Sequence, residues 1–197
     1  MDSKVIAPYV TSWSAEYDLP CALVERPDRS IGHATELPGD RDRQGVLWKQ
    51  VASHRGQGRP EFGKVHPLRQ RRAMERLLCQ VCGNPADQNS DGVLWLQVDH
   101  HDDWPGWPER MASTEPPICR PCAALSTRLC PALRRSGASA VRVREFPIVG
   151  VRGALYRPGA LAPIAAQAGN FAYGDPALRR VQASALLREL RGCIREF

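Results

Sequence analysis

Four cysteines in two Cys-x-x-Cys pairs, Cys79-Gln80-Val81-Cys82 and Cys119-Arg120-Pro121-Cys122, carry the clearest chemistry in this chain. Each pair can clip one side of a cation, and two pairs complete a tetrahedral shell. Gly83, directly after the first pair, frees the backbone for the tight turn that aims both sulfurs at one ion. The second pair contains Pro121 and runs on into Ala123-Ala124-Leu125, a helix start. Four thiolates close the shell and leave no position for water, so the expected metal is a structural Zn²⁺ that contributes folding energy. A redox dithiol pair would need a βαβ setting, which the flanking pattern does not offer. Cys21, Cys130 and Cys193 read as small buried apolar residues.

Several elements must position those sulfurs. Pro67 opens a predicted helix that delivers the chain into Cys79, with Leu68, Met74, Leu77, Leu78 and Val81 near one face. Arg69, Arg72 and Arg76 fall on another face, with Arg71 beside them. With the loop His54-Arg55-Gly56-Gln57-Gly58-Arg59 they can form one basic strip. Between the pairs, residues 92–98 predict a strand and match residues 45–51 at six of seven positions. We read that match as two similar hairpin strands, since the flanks diverge. Strands are also expected over 5–10, 21–24, 45–51, 140–144 and 148–151, and loops over 52–66 and 157–170. A short helix follows the second pair. Asp175-Pro176 predicts the start of a final amphipathic helix with Leu178, Val181, Ala185, Leu186, Leu190, Ile194 and Phe197 on its apolar stripe.

The expected class is therefore α+β: a mixed small sheet and helices around a structural zinc module. One domain is expected over 1–197. Within it, residues 1–66 are strand-rich, residues 67–131 form a zinc-binding core, and residues 132–197 supply strands plus a C-terminal amphipathic helix. An apolar share of 43% suffices for a real core. No run approaches the roughly 18 apolar residues of a membrane span. The start of the chain has neither the basic segment nor the long apolar stretch of a signal peptide, so a cytoplasmic setting is expected. The net charge of +6 favours an anionic partner. It is carried almost wholly by arginine, the bias of a GC-rich genome, which weakens the argument from arginine count to nucleic acid.

A second constellation lies between the pairs: Asp99-His100 at the end of a strand, then Trp104-Pro105-Gly106-Trp107-Pro108. A knuckle, a strand ending in Asp-His and a later Cys-x-x-Cys at a helix start resemble a zinc-clipped, treble-clef HNH endonuclease. The resemblance covers about 50 residues. It implies His100 as the base that polarises water, and Asp99 as a ligand of a catalytic Mg²⁺ or Mn²⁺. The chain departs from that family at Ala123, where a histidine is usual, and over Ser113-Thr114-Glu115-Pro116-Pro117, where the central asparagine has no match. The two tryptophans can cap the core or offer a stacking surface for bases or a protein partner. Three functions follow: a nucleic-acid-binding or regulatory protein without turnover, an HNH-type nuclease, active or decayed, and an adaptor that uses Trp104 and Trp107.

Overall fold

The structure, a computed structural model, describes residues 6–20 and 22–196. In chain order they form β1 (Thr11–Trp13), β2 (Leu23–Glu25), β3 (Ile31–His33), β4 (Leu47–Trp48), β5 (Pro60–Val65), α1 (Pro67–Arg76), β6 (Gln88–Asn89), β7 (Gly92–Val98), β8 (Ala112–Ser113), α2 (Arg120–Leu129), α3 (Pro131–Ser136), β9 (Ala138–Glu145), β10 (Ile148–Arg157) and β11 (Ile164–Ala172). A 3-10 turn (Pro176–Arg180), β12 (Val181–Glu189) and β13 (Arg191–Arg195) follow. The class is α+β, as expected.

Two sheets organise the chain. One runs β11-β10-β12-β4, with β8 also pairing β12; the other runs β13-β9-β7-β6. Two small pairs, β1-β5 and β2-β3, stand beside them. The second sheet is buried on both faces, which explains why residues 92–98 read as a continuous apolar run rather than an alternation. Leu94, Leu96 and Ala140 pack with the cysteines on one face. Val93, Trp95, Val141 and Val143 pack with Leu190 on the other. The first sheet covers α1 through Val46, Trp48, Met74, Val151, Val181, Ala183 and Leu186.

Helix α1 starts at Pro67 as expected and is clamped to β12 by Gln70, which is fully buried. Its amide donates to the carbonyl of Leu186 at 3.0 Å and accepts from the Leu186 N–H at 2.9 Å. Arg188, also buried, donates through Nη2 to the carbonyl of Met74 at 2.8 Å and so satisfies the end of the same helix. Leu68, expected on the apolar face, is instead exposed.

The C-terminal helix is the main correction. Asp175 does cap a helical turn, accepting from the Ala177 N–H at 2.8 Å, but the turn ends at Arg180 and two strands follow. Val181, Ala183 and Ala185 alternate inward at period two, and the run Leu186-Leu187-Arg188 is buried on both faces. That pattern also satisfies a helical stripe. Pairing with β10 on one side and with β4 and β8 on the other decides for the strand. Phe197, the last residue of the expected stripe, lies outside the described residues. Two expected loops contain strands: β5 lies within 52–66, and β11, an edge strand, covers 164–170 of the loop expected over 157–170 and runs on to 172. Of the strand expected over 5–10, Val5 lies outside the described residues and 6–10 is irregular. Cys21 also lies outside them, and pairing begins at Leu23. The two similar segments enter different sheets. Leu47–Trp48 pairs parallel with β12, whereas Gly92–Val98 pairs antiparallel with β9.

Arg69 is turned inward. It forks onto Glu16 at 2.6 Å through both nitrogens and also donates to the Thr11 carbonyl at 2.8 Å. Burial pushes the Glu16 carboxyl up, but the bonds from Arg69 and the Trp13 N–H outweigh it and hold it below its ordinary value. Burial pushes the neighbouring His66 down, keeping its imidazole neutral. Both groups bind protons more weakly folded than unfolded, so both withdraw stability as pH falls. Stability should begin to decline as pH drops through the ordinary histidine value of 6.5, and more steeply below the ordinary Glu16 value of 4.5. In urea titrations at neutral pH, Arg69→Ala should lose about 3–5 kcal/mol, because it strands a buried carboxylate. The double variant Glu16→Gln/Arg69→Met should lose less and show a shallower acid limb.

Candidate metal centre

The first cysteine pair sits on a loop that three segments hold. Leu77 ends α1 in the left-handed conformation at φ 52°. The chain then turns so that the Cys79 N–H donates to the carbonyl of Asn84 at 2.7 Å, and the Gly83 N–H to that of Cys79 at 2.9 Å. Gly83 has φ +77°, and a Cβ there would meet the Tyr9 ring at 3.0 Å, so glycine is required twice over. Tyr9 and Val10 donate to the carbonyls of Val81 and Gln80, and Gln80 donates to that of Pro117. The knuckle is thus tied to the N-terminal segment and to the approach of the second pair.

That second pair is set by α2. Cys119 is the residue before its first turn, and Cys122 lies within that turn. The Ile118 N–H donates to the Leu94 carbonyl at 2.9 Å, hanging the helix start on β7. The order is therefore knuckle, hairpin β6-β7, helix, as expected for a treble-clef-like unit.

All four sulfurs lie within 4.8 Å of one another, and Cys82 Sγ to Cys119 Sγ is 3.8 Å. A tetrahedron with metal–sulfur bonds of about 2.3 Å has an edge of about 3.8 Å, whereas a disulfide is about 2.0 Å. The six cysteines of the described residues are all free. The arrangement can hold a metal ion such as zinc. Cys79 is fully buried and Cys82 is exposed at the rim. Burial pushes the Cys79 thiol up, but N–H groups of Cys82, Cys119 and Val81 aimed at it bring it below its ordinary value. Burial, and then the charge on Cys79, push Cys119 and Cys122 up. Four thiolates together need a cation at their centre.

A charge network centred on one buried arginine braces the site. Arg142, with 1% of its side chain exposed, binds Asp87 through Nη2 and Glu196 through Nε at 2.7 Å. Arg120, between the cysteines of the second pair, binds Glu196 at 2.8 Å and reaches Asp87 at 3.7 Å. The network joins the knuckle's exit, the start of α2 and the two strands β9 and β13. Its one trace in the sequence is an arginine amid the apolar run Ala140-Val141-Arg142-Val143, and residue spacing gives no sign of its partners.

Asp99 and His100 do not converge. The Asp99 carboxylate accepts from the His101 N–H at 3.1 Å, lies 3.1 Å from His101 Nδ1, and is 3.7 Å from Arg195. Burial raises it, but the His101 contacts outweigh this and hold it below its ordinary value. His100 is half exposed and faces Asp103 at 3.6 Å. Among the described residues only the four cysteines form a group able to hold a metal. Ala123, where the resemblance implies a histidine, is buried with Leu94, Ile118 and Ala140. Trp107 is buried, beside His100 and under the Arg195 guanidinium at 5.1 Å, while Trp104 is 37% exposed. The basic strip is divided. Arg69 is buried, Arg71 pairs with Glu75 at 3.1 Å and lies over Trp48, and Arg72 and Arg76 are exposed. No helix among the described residues is long and apolar enough to cross a membrane.

No protein-family model matches the chain, and no curated protein or solved structure matches it. Beyond the four-cysteine cluster, nothing in the structure or these comparisons supports the resemblance to HNH enzymes.

Removing one sulfur should unfold the region around the site. Cys79→Ser should lower the melting temperature by several degrees and make it insensitive to a chelator, whereas a chelator should destabilise the wild-type chain. Arg142→Met, which strands Asp87 and Glu196 around the site, should destabilise the chain and lower the midpoint for metal loss in a chelator titration. Cys130→Ser should change neither.

Proposed function

We propose that this chain is a non-catalytic, zinc-stabilised protein that binds nucleic acid. The observation that carries the first half is the closed set of four sulfurs at tetrahedral spacing. Such a set has no open position for a substrate or water, so the metal holds elements in place. Asp99 and His100, the residues that would argue for hydrolysis, are committed to separate neighbours.

Support for a nucleic-acid partner comes from the helices that the second cysteine pair anchors. Arg128 in the last turn of α2 and Arg134 and Arg135 in α3 are exposed, and none is ion-paired among the described residues. Arg72 and Arg76 on α1, leading into the first pair, are likewise exposed without an ion pair. Guanidinium groups on short helices bind phosphates and release counterions, and the net charge of +6 adds a long-range attraction. The adaptor reading has less support, since Trp107 is buried and Trp104 alone makes no patch.

Elemental analysis of the purified chain should find about one zinc per chain. In a salt titration with mixed-sequence duplex, binding should weaken linearly on a log–log plot. Arg128→Ala/Arg134→Ala/Arg135→Ala should reduce the slope by about 0.9 for each phosphate no longer neutralised, and leave zinc content unchanged. No retention at low salt, or an unchanged slope in the variant, would overturn the partner assignment. Cleavage that persists with Mg²⁺ and is lost in His100→Ala would restore the nuclease.

A further inference from the structure

We propose that β11 is a docking edge for a second copy of this chain, pairing antiparallel with its own counterpart about a two-fold axis. β10 pairs with β11 on one side, and no strand among the described residues pairs with it on the other. The strand reads IAAQAGNFA, without a charge or a proline, and all of it but Gly169 and Phe171 is exposed. Open backbone N–H and C=O groups along such an edge are a template for another strand, and proteins ordinarily blunt them with short length, charge or proline. The other edges here are blunted. β1, β2, β3, β4, β6 and β8 are two or three residues long. β5 carries Glu61 and Lys64, and β13 carries Arg191 and Arg195. A bulge at Ala166 kinks β11 near the hairpin end. Beyond it, Gln167–Ala172 pairs with Gly150–Leu155 in unbroken register and keeps its outer side open.

The character of the edge selects its occupant. β11 offers no charge of its own to a charged partner strand. The strand that fits it is extended, uncharged and built of small residues, and the chain supplies one in β11 itself. Each copy carries a net charge of +6, so two copies repel over most of their surfaces, and an uncharged strand is where backbones can approach without opposing like charges. A two-fold axis normal to the sheet at Gly169 sets that glycine against its own copy, Ala168 against Asn170, and Gln167 against Phe171. The same antiparallel arrangement lays each hairpin tip beside the segment that follows Ala172 in the other copy. Leu161 and Ile164, exposed at that tip, are then covered. Pairing uses up both open edges, and β4 at the far border of the sheet is two residues long, so assembly closes at two copies rather than growing into a fibre. One short strand buries little area, so the association is weak and depends on concentration.

Sedimentation velocity of the metal-loaded full chain at rising concentration should show its mass moving from one chain toward two and no further. Ala168 is exposed, so Ala168→Lys leaves the single chain intact, with unchanged melting temperature and zinc content. In the pair it brings like charges together near the axis and should weaken dimerisation about tenfold or more. Ala168→Glu mixed with Ala168→Lys should restore a mixed dimer, since the two charges then attract. Amides of 167–172 should exchange more slowly at high protein concentration than at low. A single chain at every concentration, a dimer indifferent to Ala168→Lys, or growth beyond two copies would overturn the proposal. Zinc binding and the arginines of α1, α2 and α3 take no part in it, so its outcome is independent of the function proposed above.

Discussion

Four sulfurs confined within 4.8 Å of one another are the constraint on which the middle of this chain depends. Fully ionised, they would concentrate four negative charges in a partly buried space. The surroundings of Cys79 favour its thiolate, whereas those of Cys119 and Cys122 push their thiols up. A cation held at the centre would turn that repulsion into a tie. The end of α1, the β6-β7 hairpin and the start of α2 converge there, and the N-terminal segment reaches the same knuckle through Tyr9 and Val10. The apolar cluster beneath the sulfurs, with Leu94, Leu96, Ile118 and Ala140, has this tie as one of its walls.

Buried arginines act as the other fasteners. Arg69 joins α1 to Glu16, Arg142 joins the knuckle's exit to the last strand, and Arg188 holds the end of α1 against β12. The first two are matched by carboxylates. Arg188 is met by the carbonyls of Met74 and Phe146 and by the Phe146 ring, an arrangement that tolerates charge because the donors fan out to several oxygens. A surplus of arginine therefore has two meanings here. Some of it is internal structure, some is ion-paired at the surface, and Arg72, Arg76, Arg128, Arg134 and Arg135, which have no ion pair among the described residues, are the ones the proposed function calls on.

The contrast between Asp99-His100 and the cysteine pairs is instructive. Both are short motifs. The cysteine spacing dictates geometry, because two residues three apart on a tight turn must face one point. Adjacent residues at a strand end carry no such constraint, and the turn after β7 sends Asp99 toward His101 and His100 toward Asp103.

Metal-ligand spacing, the Pro67 helix start and the strand at 92–98 were legible in the residues, since each depends on contacts within a few positions. The arginine that braces the metal centre and the division of the basic helix face were not. Each depends on partners far along the chain, such as Arg142 with Glu196 or Arg69 with Glu16. The sharpest case is 181–189, whose apolar residues satisfy a helical stripe and an alternating strand equally. By itself the sequence determined that this segment is buried and that Asp175 starts a turn. Tertiary structure alone decided that it is a strand, because β10, β4 and β8 offer hydrogen bonds along its edges that an isolated helix would have had to supply from within.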